Sequence, residues 1–191
     1  MENHLMKKKM IMTFMAGLLI AITALGLMVA CWIGCDTPED ALEYHRINGW
    51  RGLDFDERNY EVQTHFATLH FQDGAMMVYL ASFNNLMVID FPRNPRNQTY
   101  YASAFRRFDL LNEHTINRLE DEEIIGWWQT RNTKIIYAVS LSSRQAYVNG
   151  VPAETIRFEV VTGNVTHNLQ FWHKELQGRN AQFIVEYRDI N

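Results

Sequence analysis

The groups in this 191-residue chain that could hold a metal or move a proton are seven histidines, two cysteines and 22 acidic residues. Their spacing argues against most such chemistry. His65 and His70 lie five apart in a stretch that reads as strand, and an odd separation puts them on opposite faces unless the strand bulges. His167 and His173, six apart, can share a face, but a turn tip lies between one of them and the core. No cysteine or acid-rich pattern completes a ligand set, so neither a metal nor a cofactor is expected. No Gly-x-Ser-x-Gly elbow occurs, and Ser140, Ser142 and Ser143 sit where serines serve turns. A hydrolase built on two carboxylates would need distant acids to converge, which the spacing does not show.

Aromatic and arginine residues offer binding rather than catalysis. Trp127 and Trp128 are adjacent, so on a strand one faces in and the other out. Trp172 beside Phe171 has the same property, as does Tyr100 beside Tyr101. An outward tryptophan can stack on a sugar ring or anchor a protein partner, unless a loop or second sheet covers it. Arg93 and Arg96 lie in a proline-containing loop, and Arg106 and Arg107 follow on a strand. Together the four could form an anion-binding edge, or a solvated sheet edge protected by charge. The candidate binding residues are therefore Arg93, Arg96, Arg106, Arg107, Trp127, Trp128 and Trp172.

Where such a surface would work depends on the N-terminus. Residues 1–9 end in Lys7-Lys8-Lys9, and Met10–Gly34 follows with no Asp, Glu, Lys, Arg or His. At about 1.5 Å per residue, that run would span roughly 37 Å as a helix, enough for a bilayer core of about 30 Å. Lysines on its N-terminal side place that end in the cytoplasm and the remainder of the chain outside. The run is longer than the 7–15 apolar residues of a cleaved signal, which favours an uncleaved single-pass anchor. Leu27-Met28-Val29-Ala30-Cys31 resembles a bacterial lipoprotein signal, as does Ile33-Gly34-Cys35 before the polar Asp36-Thr37-Pro38. The resemblance implies lipidation of Cys31 or Cys35 and a lipid anchor at the outer face of the membrane. It departs from the usual Leu-Ala-Gly-Cys at two positions in the first case, and Trp32 weakens the second.

Residues 36–191 are long enough for one domain with a sizeable core. Beyond residue 35 stand 15 basic and 21 acidic residues, a formal charge of −6. That balance argues against nucleic acid as a partner. Both cysteines precede this region, so it must cohere through its core alone, as is typical of bacterial exported proteins.

The pattern is mostly strand. Thr37-Pro38-Glu39-Asp40 is a helix start, ending near Asn48-Gly49, and Trp50–Asn59 reads as a connection. Tyr60–Phe71 and Ala75–Ser82 flank Asp73-Gly74, a strong hairpin signal, and the second run is apolar on both faces, as a central strand would be. Leu86–Phe91 and Thr99–Leu111 flank the proline loop. Asn112–Glu123 is a short helix that should stop before its own acidic run, which the helix dipole disfavours. Ile124–Gln129 and Lys134–Leu141 form a second hairpin. Asn149-Gly150 marks a third turn, and the strands around Ile156–Val160, Leu169–Lys174 and Gln182–Arg188 close the chain.

The fold class that follows is mostly β: an antiparallel β-sandwich or curved half-barrel with one or two short helices, preceded by a single N-terminal transmembrane or signal helix. The function that follows is a membrane-tethered extracytoplasmic binding or accessory module, not an enzyme. Its partners would be the membrane, through residues 10–34, and an envelope protein or polysaccharide. The alternative is a cell-envelope hydrolase with a carboxylate-based site.

Overall fold

The computed structural model describes residues 34–48, 61–122 and 125–189, with Ile47 and Asn48 described by their backbone alone. The chain divides after Gly34, and every described element lies in the second unit, Cys35–Asn191. The N-terminal tract up to residue 33 and the connection at Trp50–Asn59 lie outside the described residues.

The unit is mostly β, with antiparallel sheets, two short helices and, among the described residues, no closed barrel. Its elements are α1 (Pro38–Asn48), β1 (Val62–Phe71), β2 (Gly74–Ala81), β3 (Asn85–Pro92), β4 (Ala104–Asp109), α2 (Glu113–Glu120), β5 (Ile125–Gln129), β6 (Thr133–Ser140), β7 (Gln145–Val148), β8 (Val151–Pro152), β9 (Glu154–Thr162), β10 (Val165–Gln177) and β11 (Val185–Arg188). Three sheets form: β1-β2-β3-β4, β5-β6-β10-β9 and β11-β7-β8.

The doubly apolar β2 explains the layering. Every residue of β2 is buried. Met76, Val78 and Leu80 join Leu86, Val88 and Phe108 of their own sheet against Trp128, Ile135, Tyr137, Val139 and Phe171 of the second. The opposite face, with Ala75, Met77, Tyr79, Met87, Ile89 and Phe91, is covered by Ala41 and Leu42 of α1 and by Tyr100 and Ala102. The second sheet is covered on both faces too: Ile136, Ala138 and Trp172 pack on Ala146 and Val148 of the third. The order is thus α1, first sheet, second sheet, third sheet.

Local chemistry sets the ends of these elements. The Thr37 Oγ1 accepts from the Asp40 N–H at 3.1 Å and caps α1. Asn112 Oδ1 accepts from the Thr115 N–H at 3.1 Å and caps α2, which stops at Glu120 as its acidic run requires. Glu122 then takes a left-handed backbone, with φ of 58°. Its buried carboxylate accepts from Arg144 Nη2 at 2.5 Å. The Asn149-Gly150 turn has positive φ at both positions, as a type I′ hairpin needs.

Two sequence readings change. The strand expected over Thr99–Leu111 is shorter, Ala104–Asp109, because Tyr100 instead bridges Cys35 and Arg93. His65 and His70 do not face opposite ways. Register shifts between His65 and Ala67 leave Phe66 as an extra residue, and His65, Thr68 and His70 then oppose Tyr79, Met77 and Ala75 on the α1 face.

Asp73, in the β1–β2 turn, joins the first two sheets at one end. Its Oδ2 accepts from Thr130 Oγ1 at 2.9 Å and from the Asn132 N–H at 3.0 Å, and its Oδ1 accepts from Asn132 Nδ2 at 3.3 Å. Asp73→Ala removes a charge-assisted acceptor shared by two hairpins. We expect a loss of about 2 kcal/mol in urea denaturation with an unchanged slope; a loss below about 0.5 kcal/mol would show that the staple carries nothing.

Candidate functional site

Among the described residues, several polar side chains with open hydrogen-bonding capacity line the outer face of the second sheet. Asn168 lies opposite Glu159 and Gln170 opposite Arg157, so all four project from the same face. The loop Leu141–Arg144 borders them. Together with Ser142, Ser143, Phe158 and Leu169 they line a cleft of about 540 Å³. Gln170 is held in place by its amide, which donates to Ser140 Oγ and to the Arg144 carbonyl, both at 3.0 Å. Its Oε1 is buried and receives no hydrogen bond. Ser142 Oγ accepts from the Arg144 backbone N–H at 3.1 Å, which leaves its own O–H free to donate. The cleft therefore offers a cation, an anion, an amide and hydroxyls over an apolar floor. It holds one carboxylate, Glu159.

The cleft and the start of the domain lie at opposite ends. Cys35 exchanges backbone hydrogen bonds with Tyr100 at 2.9 and 2.7 Å, beside Arg93. Arg93 and Asp73 are joined through the backbone, and Asp73 holds Asn132, so the β5–β6 turn is at the Cys35 end. β6 then runs seven residue steps from Thr133 to Ser140, about 23 Å, where the cleft begins.

A second cleft of about 540 Å³ lies between α1 and β1, lined by Glu39, Leu42, Glu43, Arg46, Glu61, Val62, His65 and Met77. Thr68 Oγ1 donates to Glu39 Oε1 at 2.7 Å and stands 2.9 Å from His65 Nε2. Arg46 binds both oxygens of Glu43, at 2.6 and 2.8 Å, and holds that carboxyl below its usual range. No group of three or more His, Cys, Asp or Glu side chains among the described residues is placed to hold a metal ion.

The seven sequence candidates do not form one surface. Trp172 is wholly buried between the second and third sheets, and Trp128 is buried between the first and second. Both are core because each lies on a sheet face that another sheet covers. Trp127 alone is open, 54 % exposed on β5. It stands three strand spacings, about 14 Å, from β9, outside the cleft. Arg106 and Arg107 project from opposite faces of β4. Arg107 pairs with Met87, six residues from Arg93, so roughly 20 Å separates it from the proline loop. Arg93 donates to the Gln98 carbonyl at 3.1 Å and lies over the Tyr100 ring. Arg96 is in the same loop, where its N–H donates to Asn94 Oδ1 at 3.0 Å. The four arginines are thus two unrelated groups. Arg157, Glu159, Asn168 and Gln170 carry no motif; only the alternation in β9 marked Arg157 and Glu159 as outward-facing.

Arg106 has a partner that the sequence does not suggest. Its Nε donates to Tyr137 Oη at 3.1 Å, across the gap between the first two sheets. Gly126 permits this: a Cβ there would lie 2.6 Å from the Tyr137 ring and 3.0 Å from Arg106 Nε. Asp90 is buried nearby, and its Oδ1 receives no hydrogen bond. Burial pushes its carboxyl up to about 7, and the Arg106 charge offsets part of that rise. Burial also raises the Tyr137 hydroxyl above its ordinary value, with the Asp90 charge adding to the shift.

Asp90 makes stability depend on pH in a defined direction. The folded state holds the proton up to about pH 7, whereas the ordinary carboxyl releases it near 3.8. Stability conferred by the neutral form is present below about pH 4 and is lost as pH rises to about 7. Asp90→Asn is expected to flatten that slope. Its gain should be small at pH 4 and largest at pH 8, on the order of 2–4 kcal/mol in denaturant titrations. A gain equal at both pH values would sink the assignment.

The chain matches no family model, no curated protein and no solved structure.

Proposed function

We propose that the chain is a membrane-tethered extracytoplasmic binding module of a bacterial envelope, with residues 10–34 as anchor or lipoprotein-type signal and the β-rich domain outside. The observation that carries this reading is the cleft over β9 and β10, whose side chains have unmet polar capacity and whose place is the end away from Cys35. A cleft with hydroxyl, amide and charged groups over an apolar floor suits an envelope polysaccharide better than a flat protein surface. In the finer architecture, the first two sheets are the halves of a β-sandwich, with the third sheet added to one side.

Two measurements test this. The mass of the mature N-terminus from the membrane fraction distinguishes the anchors: an intact Met1 or Met6 supports the transmembrane form, and a diacylated Cys31 or Cys35 supports the lipoprotein. Release of an unlipidated, shortened chain would remove the tether. For binding, the detergent-solubilised full chain is sedimented with purified envelope polysaccharide. Asn168→Trp, which fills the cleft, should lower retention roughly tenfold, about 1.4 kcal/mol. Equal retention of both proteins, or no retention of either, would remove the cleft from the reading.

The hydrolase alternative is supported by one feature, the convergence of Glu39, Glu43 and Glu61 with His65 in the cleft beside α1. Cleavage of the same polysaccharide that is lost in both Glu39→Gln and Glu61→Gln would favour it.

A further inference from the structure

Sheet edges are where the molecule could pair with another chain, because an edge strand presents unbonded N–H and C=O groups. Most edges here are blunted. β1 carries two register shifts, β4 is six residues with Arg106 and Arg107 side by side, β5 is five residues with Gly126 inside it, and β8 is two residues ending in Pro152. β9 differs. It is nine residues long, holds an unbroken register against β10, and makes no backbone bond to any described residue on its other side.

The orientation of its free groups follows from the β9–β10 turn. Gly163 has φ of +62° and opens a two-residue loop closed by the pair Thr162 and Val165. That closing pair exchanges both of its backbone bonds, so Thr162, Val160, Phe158 and Ile156 bond inward to β10. The N–H and C=O groups of Thr155, Arg157, Glu159 and Val161 point outward, away from the sheet.

We infer that β9 is a self-pairing edge, which joins β9 of a second copy antiparallel about a two-fold axis at Phe158. Charge selects that register. Centred on Phe158, each Arg157 lies directly opposite the partner's Glu159, giving two reciprocal cross-strand ion pairs. Centring one residue either way sets Arg157 against itself or Glu159 against itself. Among the described residues neither side chain has an intramolecular partner, and both reach the same outer face as the exposed Val161, which is 62 % open and would face Thr155 of the partner subunit. On the other face Ile156, Phe158 and Val160 continue the core side of the sheet across the axis. The second sheet becomes eight-stranded in the dimer.

The pairing reverses strand direction, so the Cys35 ends of the two copies point opposite ways. The pairing shares Arg157 and Glu159 with the cleft, so it is read from molar mass with no polysaccharide present.

The test is a charge swap on the full chain in detergent under reducing conditions, which removes any disulfide through Cys31 or Cys35. Molar mass is followed over a dilution series by light scattering. The unaltered chain should be dimeric. Arg157→Glu and Glu159→Arg each place like charges opposite at both ion pairs, and each should raise the dimer dissociation constant by tenfold or more. The double variant R157E/E159R restores opposite charges and should restore the dimer. Both sites are exposed, so all variants should keep the strand content of the parent in circular dichroism. A monomeric parent overturns the inference, as does a dimer indifferent to either single change. Failure of the double variant to recover also overturns it.

Discussion

Strand β2 has no side that faces water. Its run of alanine, methionine, valine, tyrosine and leucine buries all eight residues, and a strand can be covered on both faces only if something stacks above and below its sheet. The second sheet covers one face and α1 with the Tyr100–Ala102 segment covers the other. The same requirement recurs one layer on. Ile136, Ala138 and Trp172 make the far face of the second sheet apolar, and the small third sheet exists to cover it. With no disulfide among the described residues, this stacking is what holds the domain together.

Stacked layers trap polar groups, and the chain handles each differently. Asp73 sits at the rim and is saturated with donors, so it fastens two hairpins. Glu122 is buried in a left-handed turn and is compensated by Arg144. Glu122 and Asp90 each keep one buried oxygen without a donor, but Asp90 has no ion pair like that of Glu122, because Arg106 spends its Nε on Tyr137. A buried carboxyl near a neutral value can mark a working site. Asp90 borders neither of the two clefts described.

The same layers also explain why the sequence's aromatic candidates shrink to one. Adjacent aromatics on a strand do split between faces, but in a stack of sheets both faces of an inner strand are interior. Trp128 and Trp172 show this from two different strands, and Trp127 escapes because β5 is an edge. The cleft opens instead where the third sheet stops short, over the far end of β9 and β10.

Local chemistry was legible without a structure wherever its cause was local. The Thr37 and Asn112 caps, the arrest of α2 at Glu120, the first residue of its acidic run, the Asp73-Gly74 and Asn149-Gly150 turns and the central character of β2 all follow from neighbouring residues. So does the alternation of β9 that turns Arg157 and Glu159 outward. What only the tertiary structure decided depends on what lies across a gap. The extra residue at Phe66 reversed the facing of His65 relative to His70, and a bulge leaves no signature in hydrophobic period. The distance of Arg107 from Arg93 was fixed by strand register, not by sequence separation. The meeting of Arg106 with Tyr137 needed Gly126 on a different sheet. The cleft itself is the place that a neighbouring layer fails to reach, and no residue within it can encode that absence.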